Sequence, residues 1–204
     1  RAIKAFERDK KKIFNYPDSD SNSLRKVISK KFNIRSDRII CGAGSDQIFD
    51  LVCKLFLAPG DEVVVTEFGF IMHRIYAALY GAKIKLAKEK NYKASVKGIL
   101  KMITNKTKIV FIANPNNPTG TYLSNTEMLN LRKKLKKNIL LVIDDAYFEF
   151  MNKDDFISGL DLFKEKSNVL ITRTFSKIYG LAGLRLGWGY SSKKIIDAMY
   201  RIKP

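Results

Sequence analysis

The sequence predicts an α/β fold: a mostly parallel central sheet with helices on both faces, in three αβα layers. Three observations lead there. Stretches with apolar residues at helical spacing alternate with short runs rich in β-branched residues from one end to the other. Two of those runs, Ile109-Val110-Phe111-Ile112 and Ile139-Leu140-Leu141-Val142-Ile143, are apolar throughout, which suits central strands covered on both faces. Four of the runs lead directly into polar turns, so those turns converge at one edge of the sheet, where open α/β sheets bind ligands.

In chain order, helical spacing marks Arg1 to Phe14, Ser23 to Phe32, Asp46 to Leu57, Ile71 to Tyr80, Val96 to Ile103, Thr126 to Leu135 and Lys193 to Ile202. Strands are expected at Ile39-Ile40, Glu62 to Val65, Lys83 to Leu86, Lys108 to Ala113, Asn138 to Ile143 and Val169 to Thr172. Ala58-Pro59-Gly60-Asp61 reads as a turn from helix into strand. Ser124-Asn125-Thr126-Glu127 has capping-box spacing, in which the Ser and Glu side chains satisfy free amides at a helix start. There is no internal repeat and no Gly/Ser linker, so residues 1–204 read as one domain. Both ends read as cut: the N-terminus resembles the middle of a helix, and Pro204 follows another helical pattern.

The chain has 204 residues, enough for a sizeable core. At 46% hydrophobic and 28% charged, with 12 Gly and 5 Pro, it is not a disordered or collagen-like chain. Lys and Arg number 38 against 20 Asp and Glu, a net charge of +18. A surplus that large raises nucleic acid as a partner. The basic runs are short, though, and no aromatic platform interleaves with them, so they read as solvated helix faces and no nucleic acid is expected. The two cysteines, Cys41 and Cys53, sit in apolar stretches and read as buried thiols of a reducing compartment, the cytoplasm. No apolar run reaches membrane-spanning length, so no membrane is expected, and no metal-ligand cluster stands out.

The four turns carry the chemistry. Gly42-Ala43-Gly44-Ser45 opens a helix, where free amides attract phosphate, although such a turn is as often only a turn. Asn116-Asn117-Pro118-Thr119-Gly120 offers amide side chains on a proline-fixed loop, or ordinary loop chemistry. Asp144 ends an apolar strand, where a lone carboxylate is costly. It either has a cationic partner, such as a protonated ring nitrogen, or caps the next turn. Ser176-Lys177 follows another strand; a lysine in a confined, partly desolvated place can act as an amine nucleophile, while an isolated lysine is usually surface. Arg185, eight residues on, suits a phosphate.

Taken together and in order, Asn-Asn-Pro-Thr-Gly, Asp-x-Ala-Tyr and Ser-Lys-x-x-x-Leu-Ala-Gly-Leu-Arg-x-Gly resemble the signature of the class I/II pyridoxal-phosphate aminotransferases of fold type I. The resemblance covers essentially the whole chain. Tyr16-Pro17-Asp18 and Gly44-Ser45-Asp46-Gln47 resemble the branch acting on histidinol phosphate, whose relatives include decarboxylases of phosphorylated amino acids.

The resemblance implies pyridoxal 5'-phosphate as cofactor. Lys177 would hold it in a Schiff base and shuttle the proton between Cα and C4′. Asp144 would pair with the pyridinium nitrogen, and Asn117 and Tyr147 would bond the phenolic oxygen. The Ser45 and Asp46 amides, Thr174, Ser176 and Arg185 would hold the phosphate, with Phe70 stacked on the ring. Tyr16 would reach the phosphate of the neighbouring subunit, implying a homodimer. The implied reaction is transamination between a phosphorylated amine or amino acid, such as histidinol phosphate, and 2-oxoglutarate. The alternatives are a decarboxylase of a phosphoamino acid, or a non-catalytic basic binding protein on the same fold. The resemblance makes residues 1–204 the large domain, without the family's N-terminal segment or the C-terminal small domain whose arginine binds the substrate carboxylate. Two departures bear on substrate preference. Phe68-Gly69-Phe70 replaces a Pro-Thr/Ser-aromatic run, and His73 stands where relatives often have Tyr. His73 is expected to be a partly buried helix residue rather than a base.

Overall fold

The computed structural model describes residues 2–166 and 168–204. Seven strands form one sheet: β1 (Ile39–Ala43), β2 (Glu62–Thr66), β3 (Lys83–Ala87), β4 (Thr107–Ala113), β5 (Leu140–Asp144), β6 (Val169–Thr174) and β7 (Leu186–Tyr190). Their order across the sheet is β1-β7-β6-β5-β4-β2-β3. All neighbours pair in parallel except β7, which runs antiparallel to both β1 and β6.

The apolar runs behave as their composition dictates. Side chains alternate faces along a strand. On β5, Leu141 and Ile143 join the core on one face, and Leu140 and Val142 join the core on the other. On β4, Val110 and Ile112 divide from Ile109 and Phe111 in the same way. The first face is covered by α2 (Asn22–Phe32), α5 (Val96–Lys101), α6 (Asn125–Lys134) and α7 (Gly159–Phe163), through Ile28, Ile99, Leu131 and Phe163. The second is covered by α3 (Gly44–Phe56), α4 (Ile71–Leu79) and α8 (Lys193–Ile202), through Phe49, Ala77 and Met199. This is the expected three-layer arrangement.

The expected turn forms, with Asp61 N–H donating to the Ala58 carbonyl at 3.0 Å. So does the capping box: Glu127 N–H donates to Ser124 Oγ at 3.3 Å and Ser124 N–H to Glu127 Oε2 at 2.9 Å. Ser124→Ala is expected to cost about 1 kcal/mol, read by chemical denaturation. Cys41 and Cys53 are free and buried, as expected, and burial pushes their thiols up to about 11 and about 12.

Three parts differ from expectation. The first helix is shorter: α1 spans Ala2–Asp9 and gives way to a 3-10 turn at Lys10–Lys12, and neither buries a residue. Arg1, placed in that helix by its spacing, lies outside the described residues. The short helix α7 was not expected, and neither was β7. Glycines at 187 and 189 deprive β7 of the β-branched run that signals a strand. They are there for contact: a Cβ on Gly187 would collide with the backbone of Gly44 and Ser45, and one on Gly189 would stand 2.9 Å from Ile48. No described helix is long and apolar enough to cross a membrane.

Candidate active site

Five strands deliver their C-terminal turns, and β7 its N-terminal approach, to one cleft of about 180 Å³. Ser45 and Asp46 come after β1, Phe70 after β2 and Asn117 after β4. Asp144, Ala146 and Tyr147 come from β5, Thr174, Ser176 and Lys177 from β6, and Ala182 and Arg185 precede β7. The expected site residues therefore meet, apart from Tyr16, which is 99% exposed and does not line this chain's cleft.

One end is built for an anion. α3 begins at Gly44 with Ala43 as N-cap and no side-chain cap; the Gly44 N–H donates to the Arg185 carbonyl at 3.1 Å, and Ser45 and Asp46 bring the next two first-turn amides to the cleft. Arg185 stands beside them, with Nη1 donating to Ser176 Oγ at 3.3 Å and Nη2 paired with Asp46 Oδ2 at 3.1 Å. Thr174 Oγ1 donates to Ser176 Oγ at 3.0 Å and accepts from Ser176 N–H at 3.1 Å. Gly44 is required for this approach. Its φ is +75°, and a Cβ there would stand 2.5 Å from Arg185 Nη2. Gly44→Ala is expected to cost about 1–2 kcal/mol of stability in denaturant titration and to push Arg185 away from the amides.

The floor is a carboxylate. Asp144 is 4% exposed, on the α3–α4 side of the sheet. It accepts from Thr172 Oγ1 at 3.1 Å and from the Ala146 N–H. Burial pushes its carboxyl up to about 7, against the pull of those two donors. Among the described residues, no Lys or Arg forms an ion pair with it. Among the described residues, Lys177 acts on it only at a distance, pulling its carboxyl down weakly.

His73 corrects one expectation. It is fully rather than partly buried, at 2% exposure, because α4 packs it between Phe111 (stacked, 4.8 Å), Phe49 and Phe70. Burial pulls its imidazole down to about 3, so it is neutral. Its Nε2 has no hydrogen-bond partner and stands 3.8 Å from Asp144 Oδ2, beyond hydrogen-bond reach. Helical spacing from Phe70 was the available signal for this neighbour of Asp144.

Three asparagines of one loop part company. Asn114 holds Leu123 through both its amide atoms, and Asn116 donates to the Phe68 carbonyl and to Thr119 Oγ1. Only Asn117 lines the cleft. Tyr147 stands on the same side, and Lys177 Nζ lies 5.1 Å from its ring centroid. Lys177 lines the cleft and is exposed, in the turn that follows β6. A larger cleft of about 870 Å³ opens between α5 and α6, lined by Lys90, Lys93, Lys97 and Lys134, and receives none of the four turns.

The family model described as aminotransferase class I and II matches residues 1–204. The chain is 59% identical to histidinol-phosphate aminotransferase of Pelagibacter ubique, over 100% of this chain and 57% of that protein. It is 43% identical to the protein of the same name from Maricaulis maris, over 100% of this chain and 56% of that one. The chain thus spans a little over half the length of the curated relatives it matches. The crystal structure of histidinol-phosphate aminotransferase from Sinorhizobium meliloti in complex with pyridoxal-5'-phosphate superposes with a TM-score of 0.92 at 25% identity, over 98% of this chain and 54% of that one. With its four turns gathered in one cleft and a family model matching from end to end, the chain belongs to the class I and II aminotransferases.

Proposed function

We propose that residues 1–204 are the cofactor-binding large domain of a pyridoxal-phosphate-dependent aminotransferase. In this reading the protein moves the amino group of a phosphorylated amine, such as histidinol phosphate, to an oxo acid such as 2-oxoglutarate. The observation that carries it is the single cleft where an anion seat, a buried carboxylate, two polar edge groups and an amine meet. The curated relatives are named for that activity, and the Sinorhizobium meliloti structure holds that cofactor.

The residues present fit the group. The uncapped first turn of α3, Thr174, Ser176 and Arg185 suit its phosphate. Asp144, buried and ion-paired with no Lys or Arg among the described residues, suits a protonated ring nitrogen. When bound, pyridoxal phosphate supplies an aldehyde that captures amines and a ring that takes up the electron pair released at the substrate carbon. Lys177 would provide the amine that holds the aldehyde, and its Nζ would carry the proton between Cα and C4′. Asp144 keeps the ring nitrogen protonated, and neutral His73 behind it adds no competing charge. Asn117 and Tyr147 would hold the ring's phenolic oxygen, and Phe70 would cover the ring.

A homodimer belongs to this reading, with Tyr16 reaching the phosphate in the neighbouring copy. Tyr16, Phe14 and Ile13 are at least 80% exposed, and α1 buries nothing on its own chain, which supports a partner there. Light scattering is expected to give a dimer. A cytoplasmic setting fits the two free, buried thiols.

The test supplies the protein with pyridoxal phosphate, histidinol phosphate and 2-oxoglutarate. Glutamate is expected to form as oxo acid is consumed. Carbon dioxide released without oxo-acid consumption would replace transamination by decarboxylation. Absence of any visible band from bound cofactor would overturn the cofactor reading.

A further inference from the structure

Arg173 is a buried cation for which the proposed reaction has no use. It is 3% exposed on β6, between Thr172 and Thr174, and it points to the opposite face of the sheet from both. Its Nη2 donates to Ser158 Oγ at 2.9 Å and lies 3.7 Å from Asp145 Oδ2. Nε and Nη1 have no hydrogen-bond partner. The guanidinium instead lies over the ring of Phe148, 3.5 Å from its centroid, with Phe32 at 4.7 Å. Asp145 is 1% exposed and also accepts from the Leu160 N–H at 3.4 Å.

A buried ion pair with unfilled hydrogen bonds is a poor device for stability, and an apolar pair of similar volume would serve the core at least as well. What distinguishes this one is where it grips. Asp145 follows Asp144 in the chain, and Phe148 follows Tyr147. Arg173 therefore holds the residue after each of two cleft residues, from behind the sheet. Phe148 N–H donating to the Asp145 carbonyl at 3.2 Å closes the turn between the two grips.

We propose that Arg173, acting with Asp145, is a positioning residue: it clamps the turn from Asp144 to Phe148 and so sets where Tyr147 stands in the cleft. The role this gives Tyr147 rests on the cofactor reading above; the clamp itself does not.

The test labels the full chain with 3-fluorotyrosine and records ¹⁹F NMR without cofactor. Tyr147 is assigned by Tyr147→Phe, and Tyr80 and Tyr200, on the other face of the sheet, serve as controls. Arg173→Met is compared with Asp145→Asn and with the double variant, which leaves no unpaired buried charge. Circular dichroism identifies the variants that fold. In those, the Tyr147 resonance is expected to shift or broaden while the controls stay, with Arg173→Lys in between. In a second arm, pyridoxal phosphate is added and the pH midpoint of its visible band is read. It is expected to move by about one unit, and by nothing further in a Tyr147→Phe background. Folded variants whose Tyr147 resonance matches the parent overturn the clamp, as does loss of fold in all of them, because the pair would then serve the core alone. A moved Tyr147 resonance in a protein whose parent shows no band supports the clamp and overturns the cofactor reading instead.

Discussion

Lys177→Ala is expected to leave the fold intact and remove the reaction. Lys177 is exposed, and its Nζ lies 5.1 Å from the centroid of the Tyr147 ring. Truncating such a side chain changes stability by about 0.5 kcal/mol or less. In the proposed reaction the same change would take away both the amine that holds the cofactor and the base that moves the Cα proton. A positioned base alone is worth about 10²- to 10⁴-fold in rate. The turnover of amine with oxo acid should therefore fall by at least that factor, and the visible band of lysine-held cofactor should vanish. Arginine at the same place cannot rescue it, since a guanidinium does not shed its proton to become a nucleophile. Wild-type thermal unfolding with lost turnover is the expected pair of results. A variant that keeps the band would move the amine to another residue.

The central layers were legible in the sequence because their physics is local. A run such as Ile139 to Ile143 has no polar side, and only a strand covered on both faces accepts it. The turn residues were legible for a related reason: each had to follow a strand, and the strands were readable. What escaped depends on distant packing. β7 reads as a glycine-rich loop until Gly187 is seen against Gly44, 143 positions earlier in the sequence. The depth of His73 is set by Phe49 and Phe111, which belong to other elements. Arg173 stands just past the expected strand Val169 to Thr172, and only the observed strand, which runs on to Thr174, reveals which face it takes.

Asp144→Asn should move stability and function in opposite directions. The carboxyl sits at about 7 in the folded, cofactor-free chain against an ordinary 3.8, because burial disfavours its charge. The folded state therefore holds a proton that the unfolded state releases between those two values. The stability this contributes is full below about pH 4 and is lost as the pH rises through about 7. His73 opposes it: an imidazole held near 3 against an ordinary 6.5 contributes stability above 6.5, lost as the pH falls toward 3. Asparagine keeps the shape and the acceptor for Thr172 but has no charge to bury. Denaturant titrations at about pH 5 and about pH 8 should find the parent losing stability upward through that window. They should find Asp144→Asn losing less, and more stable than the parent at the upper pH by at least about 1 kcal/mol. Asp145, also pushed up to about 7 by burial, keeps part of the slope in both proteins. With cofactor the order reverses. A protonated ring nitrogen draws the carboxylate into its charged form, and asparagine offers no such partner, so affinity drops and turnover falls by about 10²- to 10³-fold. Equal pH slopes in the two empty proteins would mean that Asp144 is ionised without help, and its burial would then need another cation to explain it. A steeper slope in the parent, together with the loss of turnover, identifies a group kept at a cost to the empty fold for the charge it meets when the cofactor is bound.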